Sequence, residues 1–322
     1  MAVYSGDNDN NNFDGGSGDD ILNGAGGDDR LDGGLDQDIL VGGWGRDTLI
    51  GGAGSDYIYS HLPDGAIDGY FSQASLDIHA EADSLSGGDG DDTFFAGYGD
   101  SVDGGSSEMA GDRLHISFLG ATSGVHADFR LLAIHSGITI GGGTLTNIEE
   151  LAYIEGSEFN DFLAGWAGTY YPNGESIYGR GGDDHIIAGY YAGLGGGIYG
   201  GDGNDLIDVT GAGYSPNVFG EAGHDRIIGG DGYEQLDGGD GDDYIEGNYG
   251  FDTLLGGGGN DVMDGGSFGD RLLGDAGDDA LYGAGDADEI DGGRGNDIIH
   301  GDYSPISSEG GLSPASNDDR LN

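Results

Sequence analysis

The chain has 322 residues, with 75 Gly, 5 Pro and no Cys; 61 Asp and Glu against 9 basic residues, all Arg, give a formal net charge of -52. The absence of Cys excludes a disulfide framework and thiolate metal sites, and the charge makes nucleic acid and anionic membrane surfaces poor partners. A Gly and Pro share of about a quarter would mean disorder in a chain without periodicity. No run of about 18 apolar residues exists to span a bilayer, and the first ten residues do not read as a Sec signal peptide.

The chain is periodic. Cut every nine residues from Gly15, it reads GGSGDDILN, GAGGDDRLD, GGLDQDILV, GGWGRDTLI and GGAGSDYIY, ending at Tyr59. Residues 60–77 interrupt the run, and 78–95 resume it with Asp83 and Asp92; the spacing slips again near Gly97 to Gly104. From Gly220, nine further blocks run without a gap to His300. The template is G-G-x-G-x-D-x-U-x, where U is a large apolar residue. It resembles the calcium-binding nonapeptide array of RTX proteins. That resemblance implies an all-β parallel β-roll in which each nonamer is half a turn, six residues of loop and three of strand. It also implies a secreted protein of a Gram-negative bacterium, exported unfolded by a type I system.

The residue chemistry agrees with the resemblance. Gly at positions 1, 2 and 4 lets the loop aim its carbonyls inward, and Asp at position 6 adds a carboxylate. Calcium takes six to eight such oxygens. One apolar residue per nine, at position 8, is a thin core that cannot alone offset the ordering of nine residues. Bound ions are expected to supply the rest.

Two nonamers make a turn, so each loop stacks on the loop eighteen residues away, with an ion between them. The first run pairs Asp20 with Asp38, Asp29 with Asp47, and Asp38 with Asp56; Asp92 belongs to the resumed run. In the last run one column is Asp225, Asp243, Asp261, Asp279 and Asp297, and the other is Glu234, Asp252, Asp270 and Asp288. Blocks carrying Asp161, Asp184 and Asp205 extend the first of these columns backwards. Between them lie irregular blocks at 165–178, 188–199 and 209–219. The pairs call for about thirteen calcium ions.

Three regions are expected: an N-terminal roll segment over 1–104 with its insertion at 60–77, an embedded non-repeat β element over 105–155, and the main roll over 156–322. In the second region, 114–118, 125–129 and 138–140 alternate like strands. The tail is Ser- and Pro-rich, but Asn317 to Asn322 match positions 4 to 9 of one more block. The long C-terminal segment usual in the family is not seen, so one expectation is a section of a longer protein.

No catalytic constellation is present, neither H-E-x-x-H nor G-x-S-x-G, and a non-enzyme is expected. In the main roll the irregular edge carries Trp166, Tyr170, Tyr171, Tyr190, Tyr191, Tyr214, Tyr233, Tyr249, Phe251 and Phe268, whereas the regular edge carries Phe159. The irregular edge also lacks position-6 acids at Gly196 and Pro216. Tyr178, Tyr199 and Phe219 fall at position 9 of neighbouring strands, as an outward ladder. Two readings of the edge rings stand. They pack over one another in place of missing ions, or Trp166, Tyr170, Tyr171, Tyr190, Tyr191 and Tyr214 form a ledge for a neutral or calcium-bridged extracellular polysaccharide. The functional expectation is a calcium-binding, adhesive or matrix-associated protein that folds on calcium after secretion. The alternative is the non-catalytic folding and export module of a secreted hydrolase or epimerase.

Overall fold

The structure is a computed structural model; it describes residues 1–62, 81–107, 111–132, 137–166, 174–190, 196–301 and 320–321. The chain divides into two compact units, Met1–Ser157 and Glu158–Asn322. Each is a parallel β-solenoid. The expected insertion at 60–77 lies outside the described residues from 63 onward, as do Tyr170, Tyr171 and Tyr191.

In the first unit Arg30, Leu31 and Asp32 lie opposite Thr48, Leu49 and Ile50, an eighteen-residue register. The offset becomes thirty-six across the interruption, where Thr48 meets Ser84 and Tyr57 meets Thr93. The pairing resumes in phase, because position 8 must keep facing inward. Leu22, Leu31, Leu40, Leu49, Ile58 and Phe94 are all fully buried there. The array also begins one turn before Gly15. Val3–Ser5 pairs with Ile21–Gly26, and Asn12–Ser17 with Arg30–Leu35.

The embedded element adds rungs to the sheets of this unit. Arg113–Ser117 pairs in parallel with Thr93–Ala96 on one side and Glu150–Glu155 on the other. Gly143–Thr146 pairs in parallel with Ser101–Ser106, and Ile138–Ile140 turns back antiparallel onto Gly143–Thr146.

In the second unit the offset shortens from twenty-three residues (Phe162 to His185) to twenty-one and twenty (His185 to Leu206, Leu206 to Arg226). It then settles at eighteen, as in Arg226 to Tyr244. The core is two facing columns of position-8 residues, among them Ile186, Ile207, Ile227 and Ile245 opposite Ile198, Val218, Leu236 and Leu254, all fully buried. Strands are longer than the expected three residues where they run into regular loops. Gln235–Asp240 and Thr253–Gly258 continue through positions 1 to 3 of the next block. Those entering the aromatic loops, such as His185–Ile187, Leu206–Asp208 and Arg226–Ile228, stop at three. The tail closes as its last block suggested, with Arg320 and Leu321 opposite Glu289 and Ile290.

The close stacking of turns explains which glycines are fixed. At position 4, Gly259 has φ +144°, and a Cβ there would lie 2.0 Å from the Gly241 carbonyl oxygen of the turn before. Its neighbour at position 3, Gly258, would bring a Cβ no closer than 3.5 Å to any atom, and the matching residue one turn on is Ala276. Gly259→Ala should therefore cost more than about 1 kcal/mol of stability in calcium, whereas Gly258→Ala should be neutral or stabilising by about 0.5 kcal/mol. Urea unfolding of the two variants at fixed calcium tests the difference, and equal losses would contradict the stacking.

Candidate metal centres

Position 6 follows the loop and precedes the strand, so its backbone N–H points along the roll axis towards the neighbouring turn. Its side chain is short enough to reach the previous turn's N–H. Oδ1 of Asp38 accepts the Asp20 N–H at 2.7 Å, and Oδ1 of Asp56 accepts that of Asp38 at 2.8 Å. The column continues with Asp56 to Asp92 and Asp92 to Asp112, both 2.8 Å, and ends with Asp112 to Oε2 of Glu149 at 2.9 Å. Its first rung is the Ala2 N–H on Asp20. The second column of this unit runs from Asn11 through Asp29, Asp47 and Asp83 to Asp100.

The second unit repeats the pattern. One column runs unbroken through Asp161, Asp184, Asp205, Asp225, Asp243, Asp261, Asp279 and Asp297, with rungs of 2.7–3.1 Å. The other joins Glu234, Asp252, Asp270 and Asp288 at 2.8–2.9 Å. The nonamer phase had missed Asp100, Asp112 and Glu149, which sit after loops of irregular length. Asp100 and Asp112 still show the local mark of position 6, an acid followed by x-U-x: Ser101-Val102-Asp103 and Arg113-Leu114-His115.

One oxygen of each ladder carboxylate is thereby satisfied; in most of them the other is not, although Oδ2 of Asp100 accepts the Gly97 N–H at 2.7 Å. Oδ2 of Asp20, Asp29, Asp38, Asp47, Asp56, Asp92, Asp184, Asp205, Asp225, Asp243, Asp252, Asp261, Asp270 and Asp279 is buried without a hydrogen-bond donor. A buried carboxylate oxygen left bare is costly. Backbone carbonyls converge beside it. A Cβ placed on Gly238 would lie 2.3 Å from Asp243 Oδ2 and 2.8 Å from the Gly256 carbonyl oxygen of the next turn; the same pair of oxygens closes over Gly33, Gly51, Gly220 and Gly274. Among the described residues no three His, Cys, Asp or Glu side chains gather to hold a metal by side chains alone. The donors on offer are stacked carboxylates mixed with carbonyls, which is the oxygen set calcium takes.

The aromatic edge departs from this pattern. Gly196 and Pro216 offer no carboxylate, and Pro216 also has no N–H to donate. Glu175 is buried and turns back to accept the Trp166 N–H at 3.1 Å, with a second bond from the Gly189 N–H. Glu234, whose column neighbour is Pro216, takes N–H groups of its own loop at Gly230 and Gly232. The two glutamates use their longer reach to fill local donors where the ladder is broken.

Burial pushes the column carboxyls up, partly offset by the backbone N–H each accepts and reinforced by like charges in neighbouring turns. Asp47, Asp92, Asp225 and Asp261 rise to about 7, Asp184 to about 8 and Asp270 to about 9. In Glu175 burial dominates and lifts the carboxyl to about 8.

Two outcomes follow. A carboxyl whose folded pKa lies above its ordinary 3.8 favours the folded chain when protonated. That contribution is complete below about pH 3.8 and is lost as pH rises through about 6 to 9. The metal-free chain should therefore gain β structure as pH falls from 8 to 5 in calcium-stripped buffer, read by far-UV circular dichroism; a flat profile would contradict the burial of bare carboxyls. Asp243→Ala removes a member of two rungs and should raise the calcium midpoint of folding by several-fold. Glu175→Gln, outside the ladder, should shift it less than twofold. Equal shifts would show that the two edges are alike.

A sequence profile described as RTX calcium-binding nonapeptide repeat matches residues 5–40, 41–61, 80–106, 174–189, 198–211, 217–243, 237–272 and 264–299. No curated protein matches the chain. The matched segments cover more than half of the sequence and carry most of the stacked position-6 acids. With its parallel roll and its columns of half-satisfied carboxylates, the chain belongs to the family of RTX calcium-binding nonapeptide repeat proteins.

Proposed function

We propose that this chain is an extracellular, non-catalytic calcium-binding roll that folds on meeting calcium after export and serves adhesion or a surface matrix, with polysaccharide contact along its aromatic edge. The observation that carries the reading is the columns of buried carboxylates, most of them with one oxygen on a backbone N–H and the other bare, as at Asp243 and Asp261. In this reading the ligands are the position-6 acids named above, together with loop carbonyls. The rungs Asp47–Asp83, Asp83–Asp100, Asp56–Asp92 and Asp92–Asp112 raise the expected complement from about thirteen ions to about seventeen. Calcium supplies the positive charge; the chain supplies a pre-aligned oxygen column and a core too thin to close without it. Among the described residues no helix is long and apolar enough to cross a membrane. A low-calcium cell interior would keep such a chain expanded for export, and calcium outside would fold it.

The aromatic rings fall into two groups. Tyr178, Tyr199 and Phe219 stack face to face at 4.5 and 5.0 Å with planes within 12°. Both faces of Tyr199 are thereby used, so this ladder serves the roll itself. The edge rings differ. Tyr190 and Tyr214 meet edge-on at 73° with centroids 6.3 Å apart, and they are 52% and 42% exposed. Trp166 is half-buried on the same edge, its backbone N–H donated to Glu175. Open, tilted faces with polar tips suit a wet binding surface.

Far-UV circular dichroism is expected to show a disordered chain in chelator and β structure in millimolar calcium. Equal folding in chelator would sink the proposal. For the surface, Tyr190→Ala with Tyr214→Ala should weaken retention on polysaccharide in calcium without altering the folded spectrum.

A further inference from the structure

Along the regular edge of the second unit, position 5 forms a second ladder on the rim of the loops. Asp183, Asn204, His224, Asp242, Asn260 and Asp278 each accept the backbone N–H of the position-5 residue one turn later, at 2.7–2.9 Å. On the opposite edge the ladder starts and stops. Ser215 Oγ accepts the Tyr233 N–H at 2.7 Å, and then position 5 becomes Tyr233 and Phe251. A phenyl ring offers no acceptor, and the Tyr233 hydroxyl lies at the far end of its ring. The next block places Phe268 at position 4, where the regular loops have glycine, and Phe268 keeps φ at +81°. A bulky residue in that region is uncommon and strained.

Three departures from the repeat thus coincide: lost rungs, a strained phenylalanine and apolar surface in water. They meet at one strip. Tyr233, Phe251 and Phe268 are 67%, 56% and 46% exposed. Their centroids follow one another at 5.6 and 5.5 Å, with planes inclined at 60° and 42° rather than stacked. Each turn therefore presents one open ring face, at close to the strand spacing. The roll itself is satisfied by polar side chains here, as its other edge demonstrates, so the rings point to an external partner.

We propose that Tyr233, Phe251 and Phe268 form a binding strip for an uncharged, extended polysaccharide, with successive pyranose rings resting on successive aromatic faces. The proposal rests on the reading of this edge as a polysaccharide contact and names its place and the ligand class. The C–H face of a pyranose is weakly positive and packs on the negative face of an aromatic ring. A polymer with one repeat per roll turn meets one ring per turn. Affinity per unit is weak and grows with chain length. Charge selects the class: the formal net charge of -52 remains negative, at about -18, even with about seventeen divalent ions bound, so the chain repels a polyanion. A second copy of the chain would bring the same charge against it.

The test is affinity electrophoresis of the full chain in millimolar calcium. Gels contain hydroxyethyl cellulose, mixed-linkage β-glucan or galactomannan, with alginate as the acidic counterpart. The parent should be retarded by at least one uncharged polymer and not by alginate. Tyr233→Ala with Phe251→Ala should weaken that retardation at least tenfold, at an unchanged calcium midpoint. Phe268→Gly relieves the strained backbone, so it should weaken retardation while leaving folding intact. Retardation lost on changing Tyr190 and Tyr214 but kept in the strip variants would overturn the strip and leave the polysaccharide reading standing. A parent that folds but is retarded by no polymer would overturn both. Retardation by alginate alone, or a strip whose loss turns an oligomer into a monomer by sedimentation, would also overturn the proposal.

Discussion

The hydrogen bond from each position-6 backbone N–H to the carboxylate one turn further along is the constraint on which this structure depends. It fixes the rise of the roll, because the acid must sit directly over the N–H it accepts. It accounts for the acid's length. Aspartate spans one turn, and glutamate appears where a column ends or is broken, at Glu149, Glu175 and Glu234. In most rungs it also leaves the second carboxylate oxygen buried and bare, which turns a stacking device into a demand for cations. A proton or a metal can answer that demand, and at neutral pH the metal has the advantage of a second positive charge.

The same stacking explains the unusual composition. Glycine is favoured where one turn's carbonyl lies against the next turn's Cα, as at Gly241 and Gly259. In the regular repeats the apolar core is mainly one inward column per sheet, with rings at position 9; in the first unit one of these, Tyr59, is itself fully buried with Val41 and Leu62. In the first unit Tyr59, Phe95 and His115 stack at 4.4 and 4.5 Å. Burial there holds the His115 imidazole neutral, at about 3. In the second unit Tyr178, Tyr199 and Phe219 do the same. Parallel, in-register strands place identical positions one above another, so a ring at position 9 meets the ring of the next turn whatever else the loops do.

Much of this was readable from the sequence. The nonamer phase gave the columns of the regular edge, the inward position-8 residues and the register of Arg320 and Leu321. It lost Asp100 and Asp112 because the offsets there are seventeen and twenty residues, although each acid still precedes a strand triplet with an apolar centre. It lost the first turn because Asn11 stands where an aspartate was expected and its block is poor in glycine. The six-residue strands were not legible either. Nothing in the template marks positions 1 to 3 as strand, and only the ladder between turns makes them so. The rim ladder that Tyr233 and Phe251 interrupt was not legible, because the template leaves position 5 open to any residue.

The central claim is that the bare carboxylate oxygens are calcium ligands, repeated rung by rung. Equilibrium dialysis of the folded chain against radioactive calcium, at neutral pH and saturating ion, counts them directly. The account predicts about seventeen ions per chain, bound over the same concentration range in which the chain folds. A fully folded chain holding only a few would contradict it, because most of the columns would then be stable with their carboxylates bare.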